Sequence, residues 1–129
     1  MYQGRCLCGR VSFSISGQLG AADMCHCRQC RQWTGHVLAS TEVARTALTI
    51  TGIENLTWFH SSAKVRRGFC SHCGSSLFFD PLDTQKHQWI GVALGAFDDK
   101  TDVSIAQHIF VAEKGDYYPI CDGAPQHDH

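Results

Sequence analysis

Along much of this chain, apolar and polar residues alternate with a period of two. Val11, Phe13 and Ile15 interleave with Ser12, Ser14 and Ser16 before Gly17, the pattern of a strand with one buried face. Leu48 and Ile50 alternate with threonines before Gly52. Leu56–His60, Ser76–Phe79, Gln88–Leu94 and Val103–Val111 are further short apolar or β-branched runs. Turn-forming residues separate most of them: Gly68, Gly74, Asp80-Pro81, Gly95 and Asp98-Asp99. No segment keeps a 3.6-residue period over three turns, and one short helix is predicted from near Cys27 to about Trp33. These elements predict a mainly β chain with a turn or two of helix. The polar tail from Asp122 to His129 is expected to be mobile.

Length and composition narrow the class. The 129 residues fit one domain, residues 1–129, without repeat or low-complexity linker. A hydrophobic fraction of 43% with 18% charged residues belongs to a globular chain. The formal net charge of -1 and the absence of a Lys/Arg run argue against nucleic acid as a partner. No stretch approaches the length of a membrane span, and the Met1–Cys6 start has no apolar core of a secretory signal. The expectation is a cytoplasmic protein whose thiols stay reduced.

In that setting the eight cysteines acquire meaning. Seven fall in three tight clusters: Cys6/Cys8, Cys25/Cys27/Cys30 and Cys70/Cys73; Cys121 stands alone and reads as incidental. Cysteines two or three residues apart are poor disulfide partners but good chelating pairs. Cys70-x-x-Cys73-Gly74 supplies two sulfurs, and the glycine can adopt a positive φ that turns backbone N–H groups toward them. Cys6-x-Cys8-Gly9 is the matching half, with both sulfurs on one face of an extended strand bent at the glycine. Together these four form a closed, structural tetrathiolate site for Zn²⁺. Cys25, Cys27 and Cys30 form a three-sulfur site for a second Zn²⁺, whose open position would accept and ionise a thiol. A fourth ligand from Cys121, His26, His36, His60 or His72 would instead close it. Pairing Cys25/Cys27/Cys30 with Cys70/Cys73 as a zinc ribbon is less favoured, because Cys6 and Cys8 would be idle.

Lys64, Arg66 and Arg67 precede Cys70. They are read first as offsetting the negative tetrathiolate or lying on a solvated face, and second as a grip on a substrate carboxylate. Trp33, Trp58, Trp89, Phe78 and Phe79 are read as core or pocket walls.

Taken in order, Cys6-x-Cys8-Gly9, Cys25-x-Cys27-x-x-Cys30 and Phe69-Cys70-x-x-Cys73-Gly74-Ser75-x-Leu77 resemble the glutathione-dependent formaldehyde-activating enzyme family, whose domain is shared with centromere protein V. Asp98-Asp99, Gln107-His108-Ile109-Phe110-Val111, Tyr118 and Asp122-Gly123-Ala124-Pro125 resemble its closing segment. The resemblance implies an Mss4-like fold of coiled antiparallel β-sheets with zinc knuckles. It also implies a structural zinc on Cys6, Cys8, Cys70 and Cys73 and a catalytic zinc on Cys25, Cys27 and Cys30. The implied activity is that of a carbon–sulfur lyase joining glutathione, or another small-molecule thiol, to formaldehyde. No glutathione-binding set can be matched residue by residue, and the chain is short beside the family's founding enzymes. The rival expectation is a non-catalytic, zinc-stabilised binding module of the same fold.

Overall fold

A computed structural model describes residues 1–129. Ten strands and one α-helix succeed each other as β1 (Tyr2–Arg5), β2 (Ser12–Ile15), β3 (Ala22–Cys25), α1 (Arg28–Thr34), β4 (Leu38–Ala44), β5 (Leu48–Thr51), β6 (Leu56–His60), β7 (Val65–Cys70), β8 (Ser76–Pro81), β9 (Trp89–Ala93) and β10 (Ile105–Ile109). Short 3-10 turns fill several of the connections. The chain is mainly β, as its periodicity predicts. The predicted strand over Leu56–His60 is β6 itself, and the predicted helix is α1, displaced by one residue.

The strands form two sheets. A three-stranded antiparallel sheet runs β1-β2-β5, and a seven-stranded sheet runs β10-β3-β4-β9-β8-β7-β6. All pairings are antiparallel except β10 with β3, which is parallel. The alternation in β2 places Phe13 and Ile15 at 3% and 0% exposure in a core shared with Val43, Leu77, Phe78, Ile90 and Val92 of the large sheet. Phe13 meets Phe78 and Phe97 edge-on, with centroids 5.7 and 5.4 Å apart. The large sheet therefore spends one face on the small sheet and has the other free for α1 and a cleft.

Four strands escaped the sequence reading: β1, β3, β4 and β7. Their cleft-facing or solvent-facing positions carry polar residues, so the apolar alternation is broken. The tail is a correction. It does not run free from the body: His108 N–H donates to Pro125 O at 2.8 Å, His127 N–H to His108 O at 2.9 Å, and Val111 N–H to His127 O at 3.0 Å. Residues near Gln126 thereby extend the large sheet beyond the β10 edge as a parallel bridge.

Candidate metal centre and cleft

The first cysteine cluster joins the two sheets. Cys6 and Cys8 lie in the β1–β2 turn, not on a strand, while Cys70 ends β7 and Cys73 lies in the β7–β8 turn. Gly9 and Gly74 sit at φ of +82° and +78°, where a side chain would be strained. Gly9 N–H donates to Cys6 O, and Gly74 N–H to Cys70 O, closing each turn. The four sulfurs lie within 4.8 Å of one another. Cys6 Sγ is 3.6 Å from Cys8 Sγ, and Cys8 Sγ is 3.7 Å from Cys70 Sγ. Backbone N–H groups of Val11 and His72 donate to Cys6 and Cys70 sulfurs. Hydrogen bonds from Ser75 hold the Cys73 thiol down to about 5, and the backbone at Arg10 lowers Cys8. Against backbone hydrogen bonds from Cys73 and His72, burial and the Cys73 and Cys8 thiols push Cys70 up, so Cys73 and Cys8 are the sulfurs disposed to be thiolates, and the group can hold a metal ion.

The second cluster lies at the free face of the large sheet. Cys25 ends β3, paired with Leu38 of β4 and Ile109 of β10. Cys27 is the N-cap of α1: its sulfur accepts the Cys30 N–H at 3.3 Å, and Gly35 ends the helix at φ +87°. The cap brings Cys30, one turn into α1, back onto Cys25 and Cys27. Their sulfurs also lie within 4.8 Å of one another, and no His, Asp, Glu or further Cys joins them. Hydrogen bonds from Cys25 and Cys30 hold Cys27 far below the ordinary thiol range, while Cys27 and Cys30 push Cys25 far above it. Against a lowering by Cys25, Cys27 and burial push Cys30 up as well, and a bound cation would release the protons these thiols keep.

The proposed fourth ligands are occupied elsewhere. His36 Nδ1 meets Tyr117 Oη at 2.6 Å, His72 Nε2 meets Asn55 Oδ1 at 2.8 Å, and His60 and Cys121 are exposed outside both clusters. His26, between two of the cysteines, is 1% exposed and points away from them. Its Nε2 lies 2.8 Å from His108 Nδ1, and its Nδ1 meets Tyr118 Oη. His108 Nε2 reaches the Asp122 carboxylate at 2.9 Å. Since that carboxylate only accepts, His108 donates from Nε2; a neutral His108 then accepts from His26, which in turn accepts the Tyr118 hydroxyl proton. This chain fastens residues 118–122 behind the cysteine loop. The sequence marked His108, Tyr118 and Asp122 through the closing-segment resemblance, but not that they meet His26.

Of the three cations before Cys70, Lys64 is exposed, and Arg66 pairs with buried Asp80 at 2.7 Å while stacking 3.9 Å over Trp58. Arg67 is 3% exposed. It donates from Nη1 to Cys30 Sγ at 3.5 Å and from Nε to Ser61 Oγ at 3.1 Å, with its guanidinium 5.2 Å from the Phe79 ring centroid. Arg67 thus offsets thiolate charge, but at the three-cysteine cluster rather than the four-cysteine one. Because β7 carries both Arg67 and Cys70, one strand touches both clusters.

A cleft of about 530 Å³ opens beside the three cysteines. Arg67 lines it together with Phe79 and Trp89, whose rings stack with centroids 6.3 Å apart. Its floor crosses the sheet along one register row, Glu42–Gly91–Phe79–Arg67. Gly91 contributes no side chain there, and Phe79 Cβ closes on the position one would take. Trp89 and Phe79 are pocket walls as expected, whereas Trp58 packs against Phe78 at the core. Asp23 and Glu42, not anticipated from the sequence, also line the cleft. Burial and the charge of Asp23 push Glu42 up, against an opposing effect of His87. No helix is long and apolar enough to cross a membrane.

Comparison with known proteins accords with this geometry. The sequence model of the family described as "Glutathione-dependent formaldehyde-activating enzyme" matches residues 1–113. A Schizosaccharomyces pombe protein named as an uncharacterized lyase is 24% identical over 117 residues, covering 91% of this chain and 83% of its own length.

Proposed function

Because the chain belongs to the glutathione-dependent formaldehyde-activating enzyme family, we propose that it is a zinc-dependent carbon–sulfur lyase that makes and breaks adducts between a thiol, glutathione or another, and an aldehyde such as formaldehyde. The observation that carries this reading is the three-cysteine cluster opening on a cleft with no fourth protein ligand beside it.

Zinc suits both clusters. All-thiolate donor sets favour it over harder cations. A tetrahedron of Zn–S bonds of about 2.3 Å has edges of about 3.8 Å, and the 3.6 and 3.7 Å sulfur separations in the first cluster are near that value. Cys6, Cys8, Cys70 and Cys73 are the closed, structural set, tying the small sheet to the large one. Cys25, Cys27 and Cys30 are the set with a position left for substrate. A zinc ion held there would supply the Lewis acidity that keeps an incoming thiol ionised at neutral pH.

The surrounding residues account for the rest. The thiol gives its proton to solvent water, its sulfur bonds to the carbonyl carbon, and the C=O π pair moves to oxygen, which takes a proton back from water, so that no net proton is gained or lost. The Arg67 guanidinium beside Cys30 stabilises the thiolate before this step and the carbonyl oxygen during it. Apolar walls of Phe79 and Trp89 lower the local dielectric and strengthen that field. The non-catalytic alternative has a second ion that is either enclosed by four protein ligands or dispensable, and the partners of His26 and His36 do not favour the enclosed form.

Metal analysis of the purified protein is expected to give two zinc ions per chain. Adduct formation from glutathione and formaldehyde, followed by NMR against the spontaneous reaction, is expected to be accelerated by the native protein and not by Cys27→Ser. If the native protein and this variant match in both rate and thiol binding, the reading is lost.

A further inference from the structure

Two residues other than glycine sit at positive φ, Asp102 at 57° and Phe110 at 55°. Aspartate tolerates that region, because its short polar side chain can bond locally. A bulky phenylalanine is strained there, and glycine would take the position freely. The neighbours of Phe110 hold it in place. Its carbonyl accepts the Glu113 N–H at 3.1 Å, and Val111 N–H donates to His127 O at 3.0 Å. Arg28 N–H donates to Glu113 Oε1 at 3.1 Å, tying the same turn to α1.

The kink changes what the cleft contains. Consecutive strand residues point to opposite faces, so a continued β10 would put Ile109 in the cleft and Phe110 outside it. Instead both line it. Ile109 pairs with Cys25 from one side and Leu38 pairs with Cys25 from the other, so this apolar group adjoins the three-cysteine cluster. Packing does not account for the phenylalanine. It is half-buried and lies outside the hydrophobic core, and its ring meets that of the terminal His129 edge-on, with centroids 6.4 Å apart. A strained apolar side chain turned into a cavity beside the cysteines is there for what the cavity holds.

The cleft also divides its work. One face of α1 brings Arg28, Gln29 and Gln32 to it, hydrogen-bonding groups that suit a polar thiol. The apolar group is left for the carbonyl partner. Formaldehyde has no substituent to rest on it and would leave most of the 530 Å³ empty.

We propose that Phe110 is a specificity-determining residue for an aldehyde larger than formaldehyde. The carbonyl carbon of that aldehyde bears a short uncharged hydrocarbon arm ending in a ring or branch, seated on Phe110, Ile109 and Leu38. This rests on the thiol–aldehyde reading above and narrows its carbonyl partner. Sulfur bonds to the carbonyl carbon, the C=O π bond breaks, and the thiol proton ends on that oxygen by way of water. The hydrocarbon arm passes unchanged into the adduct.

The test uses the zinc-loaded full chain with glutathione as the thiol and compares phenylacetaldehyde with acetaldehyde. Adduct formation is followed by NMR and divided by the spontaneous rate. Binding of 2-phenylethanol and of ethanol, which have neither thiol nor carbonyl, is measured alongside by ligand-observed NMR. The native protein is expected to favour phenylacetaldehyde about tenfold in kcat/KM, and 2-phenylethanol by a similar factor. In Phe110→Gly both ratios are expected to fall to about one, with the melting temperature unchanged or higher because glycine adopts the positive φ freely. Phe110→Asn, which also tolerates that backbone, is expected to behave alike, and Phe110→Leu to keep part of the preference. If the native protein accelerates both aldehydes equally, the specificity is overturned while the lyase reading stands. Loss in the same proportion for both aldehydes in Phe110→Gly also overturns it, since the residue would then only prop the turn. If neither aldehyde is accelerated but the native chain, unlike Phe110→Gly, still favours 2-phenylethanol, the lyase reading fails and the apolar seat survives.

Discussion

Arg67 Nη1 stands 3.5 Å from the sulfur of Cys30, and Arg67 as a whole is 3% exposed. A buried guanidinium against a sulfur is held there by hydrogen bonding, and it favours the thiolate that a bound cation would create. If it also stabilises the carbonyl oxygen, Arg67→Met should lower the rate of adduct formation by about 10²–10³-fold, the usual effect of losing one such donor. Arg67→Lys should recover part of the rate, having charge but not the planar fork. Initial-rate measurements at matched zinc content check both.

The two cysteine clusters should fail differently. The four-cysteine group joins β1–β2 to β7–β8, so Cys70→Ser is expected to lower the melting temperature by more than roughly 10 °C, as loss of a few kcal/mol does in a domain of this size. Cys27→Ser affects one short helix cap and should cost less than half as much, while abolishing thiol binding. Thermal melts by circular dichroism, with and without chelator, distinguish the two.

Asp122 gives a pH dependence. The Ala124 N–H and then His108 hold its carboxyl below the ordinary range. A depressed carboxyl stabilises the native state fully above its unfolded value near 4, and that contribution disappears as pH falls through the lower native value. The closing segment should therefore loosen only below about pH 4. Amide exchange of His127, which donates to His108 O, should rise there in the native chain. In Asp122→Asn the rise should already be present at neutral pH and lose its acid step.

Gly91 tests the cleft floor. A Cβ there would lie 3.2 Å from Phe79 Cβ, close but reachable with a small shift, and its backbone needs no positive φ. Gly91→Val should raise KM for the thiol about tenfold by displacing Phe79 into the cleft, with the melting temperature changed by only a few degrees. Steady-state kinetics with thiol as the varied substrate measure this.

Both cysteine groupings were legible from spacing, because a metal-binding turn has few ways to be written. The strands β2, β5 and β6 were legible because one face is apolar and the other is not. β4 was hidden: Thr41 faces the core by bonding to Gly20 O, while Ser40 and Glu42 face the cleft. β7 was hidden by Arg67, a charge buried for the sake of a sulfur. Polar residues break the pattern where the fold serves ligands rather than its own packing. The docked tail was illegible for another reason. It is held by backbone hydrogen bonds to the β10 edge and by the Asp122–His108 contact, neither of which leaves a hydrophobic signature.

That docking bears on where the working unit stops. The family match ends at residue 113, yet His108 is 2% exposed and receives both its backbone and its carboxylate partners from residues 122–127. A chain trimmed to the family's outline would bare an imidazole pair directly behind the cysteine loop and unpair an edge of the large sheet. The matched stretch stops at residue 113, but the contacts that bury His108 and pair the β10 edge run on to residue 127.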